Sequence, residues 1–368
     1  MAFSSWRRIV IKVGSALIAP SAQGCSTRYL LTIARFIAEC RLAGKEVVLV
    51  SSGSVAAGRN AILAKQQPLP INIKQAMAAV GQSRMMASWS QLFDFDCAQI
   101  LLTHADLQDR RRYLNIDNTL RTLLANHVLP IVNENDSVAT AELKLGDNDN
   151  LAALVAIVVD ADVLLICSDI DGLYTANPRL DPGAQHIAEV AQVTSAIYAM
   201  AGGSHHAIGT GGMLTKIQAA EKATKAGIDT LIINGQDATS FERLLTGGTA
   251  GTHFSRQQDR LSAKKHWILN TLKQCGVITV DAGASAALQG KGASLLASGI
   301  VSSSGHFDKG DAIMIVDHAQ QPLAKGISQY SAQELSKIKG LHSSHIAAVL
   351  GYCPSEEVIH RNDLVLLN

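Results

Sequence analysis

Two lysines, a dense run of acids and carboxamides, and several glycine-rich turns are the residues of this chain best suited to chemistry. Lys12-Val13-Gly14-Ser15 puts a lysine inside the apolar stretch RIVIKV. A lysine there is costly unless a partner or a ligand meets it. Gly14 lets backbone approach closely, and Ser15 offers a hydroxyl and an amide. Ser51-Ser52-Gly53-Ser54 follows EVVLV. It reads either as an anion site made of helix-terminal amides or as an ordinary cap. The stretch from Asn133-Glu134-Asn135-Asp136 to Gly146-Asp147-Asn148-Asp149-Asn150 brings five acids and four amides into eighteen residues. Two capped turns do not require so many such side chains. They could hold an ammonium group, order lysines, or carry Mg²⁺ through water. Gly209-Thr210-Gly211-Gly212-Met213-Leu214-Thr215-Lys216 leads into a helix. Its glycines would let amides converge on phosphate, with Lys216 supplying charge, although a merely flexible loop fits equally well.

Taken together, the clusters point to phosphoryl transfer. Lys12 and Lys216 would flank the moving group, amides at Gly14, Gly53 and Gly212 would hold its oxygens, and Asp149 would orient the lysines. Such a reaction asks the protein for position and charge more than for covalent chemistry. The sequence has no GxxxxGK[ST] phosphate loop. It also lacks a dinucleotide fingerprint, since no strand directly precedes the glycine run.

The elements that must position these residues alternate. Arg8 to Val13, Glu46 to Val50, Cys97 to Leu102, Val128 to Val132, Val163 to Cys167 and Thr230 to Ile233 have the composition of strands. Thr27 to Leu42, Ile71 to Phe93, Leu151 to Val159 and Lys216 to Ala226 have the spacing or composition of helices. Strands apolar on both faces, alternating with helices, predict an α/β fold: three αβα layers around a mainly parallel open sheet. The clusters follow strands, where an open parallel sheet binds its ligands. Near residue 262 the character changes. Short segments punctuated by glycine, among them Val277 to Val280 and Ala312 to Val316, predict a small, mainly β second domain. The expected division is a catalytic domain over 1–262, a linker over 263–275 and the second domain over 276–368.

Composition narrows the possible partners. The 368 residues carry 32 Lys+Arg against 31 Asp+Glu, so there is no global attraction to nucleic acid or to an anionic membrane. From residue 276 onward six bases face eight acids, a formal net charge of −2, which argues against RNA as a partner of the second domain. Lys12 cuts the first apolar stretch too early for a signal peptide, and no run approaches a membrane span. None of the six cysteines has metal-ligand or redox spacing. Reduced, mostly buried thiols in a cytoplasmic protein are therefore expected.

The motifs IKVGSALI, VSSGSVAAGR, AAVGQSRMM, LLTHADL, VNENDSVATAELKLGDNDNLAA, SDIDGLYTANPR and GTGGMLTKIQAA run in this order. In that combination the chain resembles the bacterial glutamate 5-kinases of the amino acid kinase family over nearly its whole length, and its C-terminal part resembles a PUA domain. The resemblance implies ATP-dependent phosphorylation of the L-glutamate γ-carboxylate to L-glutamyl 5-phosphate, the first step of proline biosynthesis. By motif position it implies Lys12, Lys216 and Asp149 as catalytic residues. Ser52, Gly53, Asn133, Asp136 and Asn148 would bind glutamate. Lys12, Ser168, Asp169, Thr210, Gly211, Gly212, Met213, Leu214, Thr215 and Lys216 would bind the nucleotide. It further implies Mg²⁺, feedback inhibition by proline, and a homo-oligomer, either dimer or tetramer. No side chain is assigned as a metal ligand. The same fold serves kinases of acetylglutamate, carbamate and UMP, and a vestigial kinase turned RNA binder is the reading from another class. The VNEND and GDNDN motifs with a PUA-like region disfavour the former, and an intact Lys12, Asp149 and Lys216 the latter.

Overall fold

A computed structural model describes residues 5–21, 24–62, 69–138, 148–201, 212–257, 268 and 273–367. Its contacts divide the chain into two compact units, residues 1–108 with 116–260, and 109–115 with 261–368.

In the first unit the strands are β1 (Arg8–Val13), β2 (Glu46–Ser51), β3 (Cys97–Leu102), β4 (Leu129–Glu134), β5 (Val163–Ser168), the short β6 (Leu173–Tyr174), β7 (His186–Ile187) and β8 (Glu189–Val190), then β9 (Asp229–Asn234) and β10 (Thr252–Phe254). The helices are α1 (Ser15–Ile18), α2 (Leu30–Leu42), α3 (Ser54–Gly58), α4 (Ile71–Ser90), α5 (His104–Gln108), α6 (Arg110–Ala125, whose residues 110–115 fall in the second unit), α7 (Asn148–Val158), α8 (Ser195–Met200), α9 (Met213–Lys225) and α10 (Ala238–Leu245). Eight strands form one sheet in the order β3-β4-β2-β1-β5-β9-β10-β8. Every neighbouring pair is parallel except β9 with β10. The mainly parallel sheet expected from the sequence is present, with an antiparallel step near one edge.

The strand order reverses at β1. From it the chain builds outward through β2 on one side and β5 on the other, the switch point at which open α/β sheets form a ligand crevice. Side chains alternate between the faces of a strand. Ile9, Ile11 and Val13 join Val47, Leu49, Leu165 and Ile233 in a core closed by Ile33, Phe36 and Ile37 of α2, Met85 and Trp89 of α4, and Phe241 of α10. Lys12, by the same alternation, faces the other layer, where α7 lies against β1 and α9. Register thus decides that Lys12 meets the start of α7.

Two boundaries differ from the sequence reading. β4 runs on through Asn133 and Glu134, so these side chains belong to a buried strand end and not to the turn after it. Helix α7 begins at Asn148, three residues before its apolar run, which puts Asn148 and Asp149 in its first turn. Gly146 and Asp147 lie outside the described residues. The thiols are also less buried than expected: Cys40 and Cys167 are buried, Cys353 is exposed, and the other three lie between.

The second unit has a five-stranded sheet of β11 (Gln274–Val280), β13 (Ile300–Gly305), β14 (Ala312–Val316), β15 (Pro322–Ile327) and β17 (Leu364–Leu366), in the order β13-β11-β14-β15-β17. A small ladder of β12 (Leu295–Leu296) and β16 (Glu357–Ile359) completes its strands. Its pairings are antiparallel apart from β11 with β14. Ile278, Ile313, Ile315, Tyr330 and Leu335 are among the residues of its own apolar core.

Helices α3 and α4 pack backbone to backbone. A Cβ added at Gly81 would lie 1.7 Å from the Ser54 carbonyl oxygen and 2.5 Å from the Gly58 nitrogen. The Gly81→Ala variant is therefore expected to lose about 3 kcal/mol of stability, since backbone cannot yield as a side chain would. Thermal unfolding should register this as a fall in Tm of roughly 5–10 °C. An unchanged Tm would contradict the close packing.

Candidate active site

Burial alone would drive the Asp149 carboxyl toward its neutral form, yet two lysines hold it ionised. Lys12 Nζ lies 2.5 Å from Oδ1 and Lys216 Nζ lies 3.0 Å from Oδ2. Their charges and hydrogen bonds outweigh the burial and hold the carboxyl well below the usual carboxylate range. All three groups are buried. Among these three, two ammonium groups face one carboxylate, a formal excess of one positive charge suited to an arriving anion.

Each member is placed by its element. Lys12 is the penultimate residue of β1, level with Val50 and Ile166. Asp149 occupies the first turn of α7, where the helix dipole favours a negative charge. Lys216 stands in the first turn of α9, where the dipole disfavours a positive one, and Asp149 offsets that cost. Thr215 Oγ1 sits 3.0 Å from Asp149 Oδ2 and 3.0 Å from the Gly212 carbonyl oxygen, buttressing the acid from the side of α9. The Gly14 amide departs from expectation. It donates to the Cys167 carbonyl at 3.2 Å and serves the sheet, so it is not an anion donor.

A second polar group surrounds Asn148. Its Nδ2 donates to Ser52 Oγ at 2.9 Å and to Asn133 Oδ1 at 2.7 Å. Asn133 Nδ2 in turn donates to Gln82 Oε1 at 2.8 Å. Gly53, at φ 100°, turns the chain from β2 into α3 in a conformation that favours glycine. Just beyond it, Ser54 Oγ donates to Asp136 Oδ2 at 2.8 Å. The residues expected to hold an acidic amino acid thus gather at the carboxyl ends of β2 and β4 and at the start of α7. Sequence reasoning missed Ser54 and Gln82 as partners, although both lie within motifs it had singled out.

A cavity of about 660 Å³ adjoins the lysine cluster, lined by Ser168, Asp169, Tyr174, Arg179, Met213 and Lys216 among others. Its size and mixed lining suit a nucleotide-sized ligand. Asp169 accepts from Arg179 at 2.8 Å, and this bond, more than the opposing effect of burial, holds its carboxyl below the usual range. Tyr174 and Arg179 belong to the quoted SDIDGLYTANPR motif but carried no separate signal. Leu214 and Thr215 do not line this cavity: Leu214 is buried, and Thr215 is engaged with Asp149. Thr210, Gly211 and the His205-His206 pair lie outside the described residues.

The buried triad makes stability depend on pH. The depressed Asp149 favours the folded state above its unfolded pKa, about 3.9, and that contribution is lost as pH falls through the lower folded value. Asp149→Asn leaves two buried ammonium groups without their anion and is expected to cost about 3–5 kcal/mol at neutral pH. Denaturant titrations should show the gap between parent and variant constant from pH 5 to 7 and narrowing below about pH 4. A gap independent of pH would contradict the ionised carboxylate.

The amino acid kinase family profile matches residues 7–234, and the PUA domain profile matches residues 276–350. A glutamate 5-kinase from Idiomarina loihiensis is 57% identical over 99% of this chain and 98% of its own. One from Salinibacter ruber is 52% identical over 100% of this chain and 99% of its own. One from Xylella fastidiosa is 48% identical over 98% and 96%. Among solved structures, a UMP kinase from Bacillus anthracis covers 69% of this chain and 97% of its own, with 15% identity and a TM-score of 0.47. A carbamate kinase from Giardia lamblia covers 69% and 100%, with 21% identity and a TM-score of 0.49. The family match spans strands β1 to β9 and the switch point, and the full-length relatives carry it through both units: the chain belongs to the amino acid kinase family, with a PUA domain following the kinase domain.

Proposed function

We propose that this chain phosphorylates the γ-carboxylate of L-glutamate with ATP, giving L-glutamyl 5-phosphate and ADP for proline biosynthesis. The observation that carries the reading is the convergence of Lys12 and Lys216 on one buried carboxylate, beside a cavity of nucleotide size. Full-length relatives bearing the glutamate 5-kinase name support the choice of acceptor over carbamate or UMP.

The physical task is to bring two anions together. The glutamate γ-carboxylate is already ionised at neutral pH, so no general base is needed. One of its oxygens forms a bond to the γ-phosphorus while the bond from that phosphorus to the bridging oxygen of ADP breaks, and ADP leaves with the electron pair. Lys12 and Lys216 offset the repulsion on approach and the charge on the transferring group, with Asp149 keeping both ammonium groups in place. Ser52, Gly53, Asn133, Asp136 and Asn148 are assigned to glutamate. Ser168, Asp169 and the 210–216 stretch are assigned to the nucleotide.

Magnesium belongs to this proposal as the ion that accompanies ATP. Among the described residues no three His, Cys, Asp or Glu side chains gather to hold a metal. No helix among the described residues is long and apolar enough to cross a membrane, and we place the enzyme in the cytoplasm. Proline inhibition, a homo-oligomer and the 1–262, 263–275 and 276–368 division are part of the same reading. The net acidic PUA domain is assigned a structural or regulatory role and not an RNA-binding one.

ATP turnover with L-glutamate, N-acetylglutamate, UMP or no acceptor, with hydroxylamine trapping of acyl phosphate, tests the assignment. Hydroxamate from L-glutamate alone is expected, and none from it would refute the reading. Lys216→Ala should lower kcat by about 10²-fold or more while changing the glutamate KM far less. Asp136→Ala should mainly raise the glutamate KM, because a substrate ammonium group loses its partner. An unchanged kcat in the first variant, or an unchanged KM in the second, would remove that residue from its role.

A further inference from the structure

The amide cluster beside Asn148 has a direction, and one group fixes it. A backbone N–H can only donate, and that of Glu134 donates to Asn133 Oδ1 at 2.9 Å. Oδ1 is therefore the acceptor end of Asn133, so its Nδ2 must face Gln82 and requires an acceptor there, met by Gln82 Oε1 at 2.8 Å. Gln82 is left with Nε2 as a donor, and Nε2 meets Gln99 Oε1 at 3.1 Å. At the other end, Asn133 Oδ1 also accepts from Asn148 Nδ2 at 2.7 Å. Asn148 accordingly has its donor committed, to Asn133 and to Ser52. Its own Oδ1 is buried and, among the described residues, has no hydrogen-bond partner. A buried acceptor left open in an otherwise satisfied network is a place for a ligand's donor.

We propose that Gln82, on α4, is a positioning residue for substrate choice. By accepting from Asn133 it locks the polarity of the chain so that Asn148 presents Oδ1, and not NH₂, to the substrate's α-ammonium group. This rests on the assignment of Asn148 to glutamate made above and adds the residue that enforces its orientation. Gln82 is buried on α4, and among the described residues its hydrogen bonds go to Asn133 and Gln99. Without its acceptor, Asn133 Nδ2 would be buried and unpaired. The cheapest relief is a reorientation of Asn133 that releases Asn148 to present either end.

The test compares L-glutamate with glutarate, which has the same γ-carboxylate but no amino group, as acceptors for the full chain. Gln82→Met keeps the side-chain length and removes both hydrogen-bonding atoms. Gln82→Glu keeps an oxygen facing Asn133, and Gln99 can turn to suit either protonation state. Gln82→Met should raise the glutamate KM and reduce the glutamate-over-glutarate preference in kcat/KM by about tenfold, with the ATP KM unchanged. Gln82→Glu should retain the preference to within about threefold. A purely structural role would lower both acceptors alike, and that result overturns the proposal, as does an equal loss in the two variants. Should Gln82→Met not fold, Gln82→Leu carries the same expectation. Asn148→Ala separates the two layers of the argument. If it leaves the preference intact, the assignment of Asn148 to the substrate fails and the proposal with it. If it abolishes the preference while Gln82→Met does not, only the role of Gln82 fails.

Discussion

A carboxylate shut away from water stays ionised only while positive charge lies against it, and Asp149 has such charge on both oxygens. The cost of burying it is met by Lys12 on one side and Lys216 on the other. Much of the first unit can be read as the apparatus for this contact. The parallel register of β1 with β2 and β5 sets the depth of Lys12. Helix α7 begins beside it with Asp149 in its first turn, and α9 brings in Lys216 from the second direction. Two of the three placements run against local preference: a lysine within an apolar strand and a lysine at a helix N-terminus. Such departures from local consistency mark places where function rather than folding has set the residue.

The same arrangement explains why the chemistry needs so little else. A γ-carboxylate approaching a triphosphate is opposed chiefly by charge, and the triad carries an excess of positive charge in a site largely closed to water. Positions fixed in advance cost no reorganisation when the phosphoryl group moves. In the proposed reading the amide chain from Asn148 to Gln82 works alongside it with neutral groups, selecting by hydrogen-bond direction where the lysines act by charge.

Much of this was legible in the residues. The strands of the parallel sheet stood out because they are apolar on both faces, and the polar clusters at their carboxyl ends marked the crevice. Lys12 was conspicuous as a charge in RIVIKV, and Asp149 and Lys216 as members of dense motifs. What escaped the sequence is of a different kind. The single antiparallel step of β9 with β10 leaves no trace in composition. Whether the Gly14 amide faces an anion or a neighbouring strand depends on the approach of Cys167, which lies far away in the chain. Gln82 looks like one more helical polar residue until the packing of α4 brings it to Asn133. Side-chain pairings across elements are set by register and tilt, and a single sequence carries these only indirectly.

The central claim is that Lys12 and Lys216 act together on one phosphoryl group, held for it by Asp149. A crystal structure with ADP, an aluminium fluoride mimic of the phosphoryl group in flight, and L-glutamate tests it most directly. Both Nζ atoms should then lie within hydrogen-bond reach of the mimic, about 3.2 Å or less. If either lysine remains on Asp149 alone, out of reach of the mimic, the account of the site is wrong.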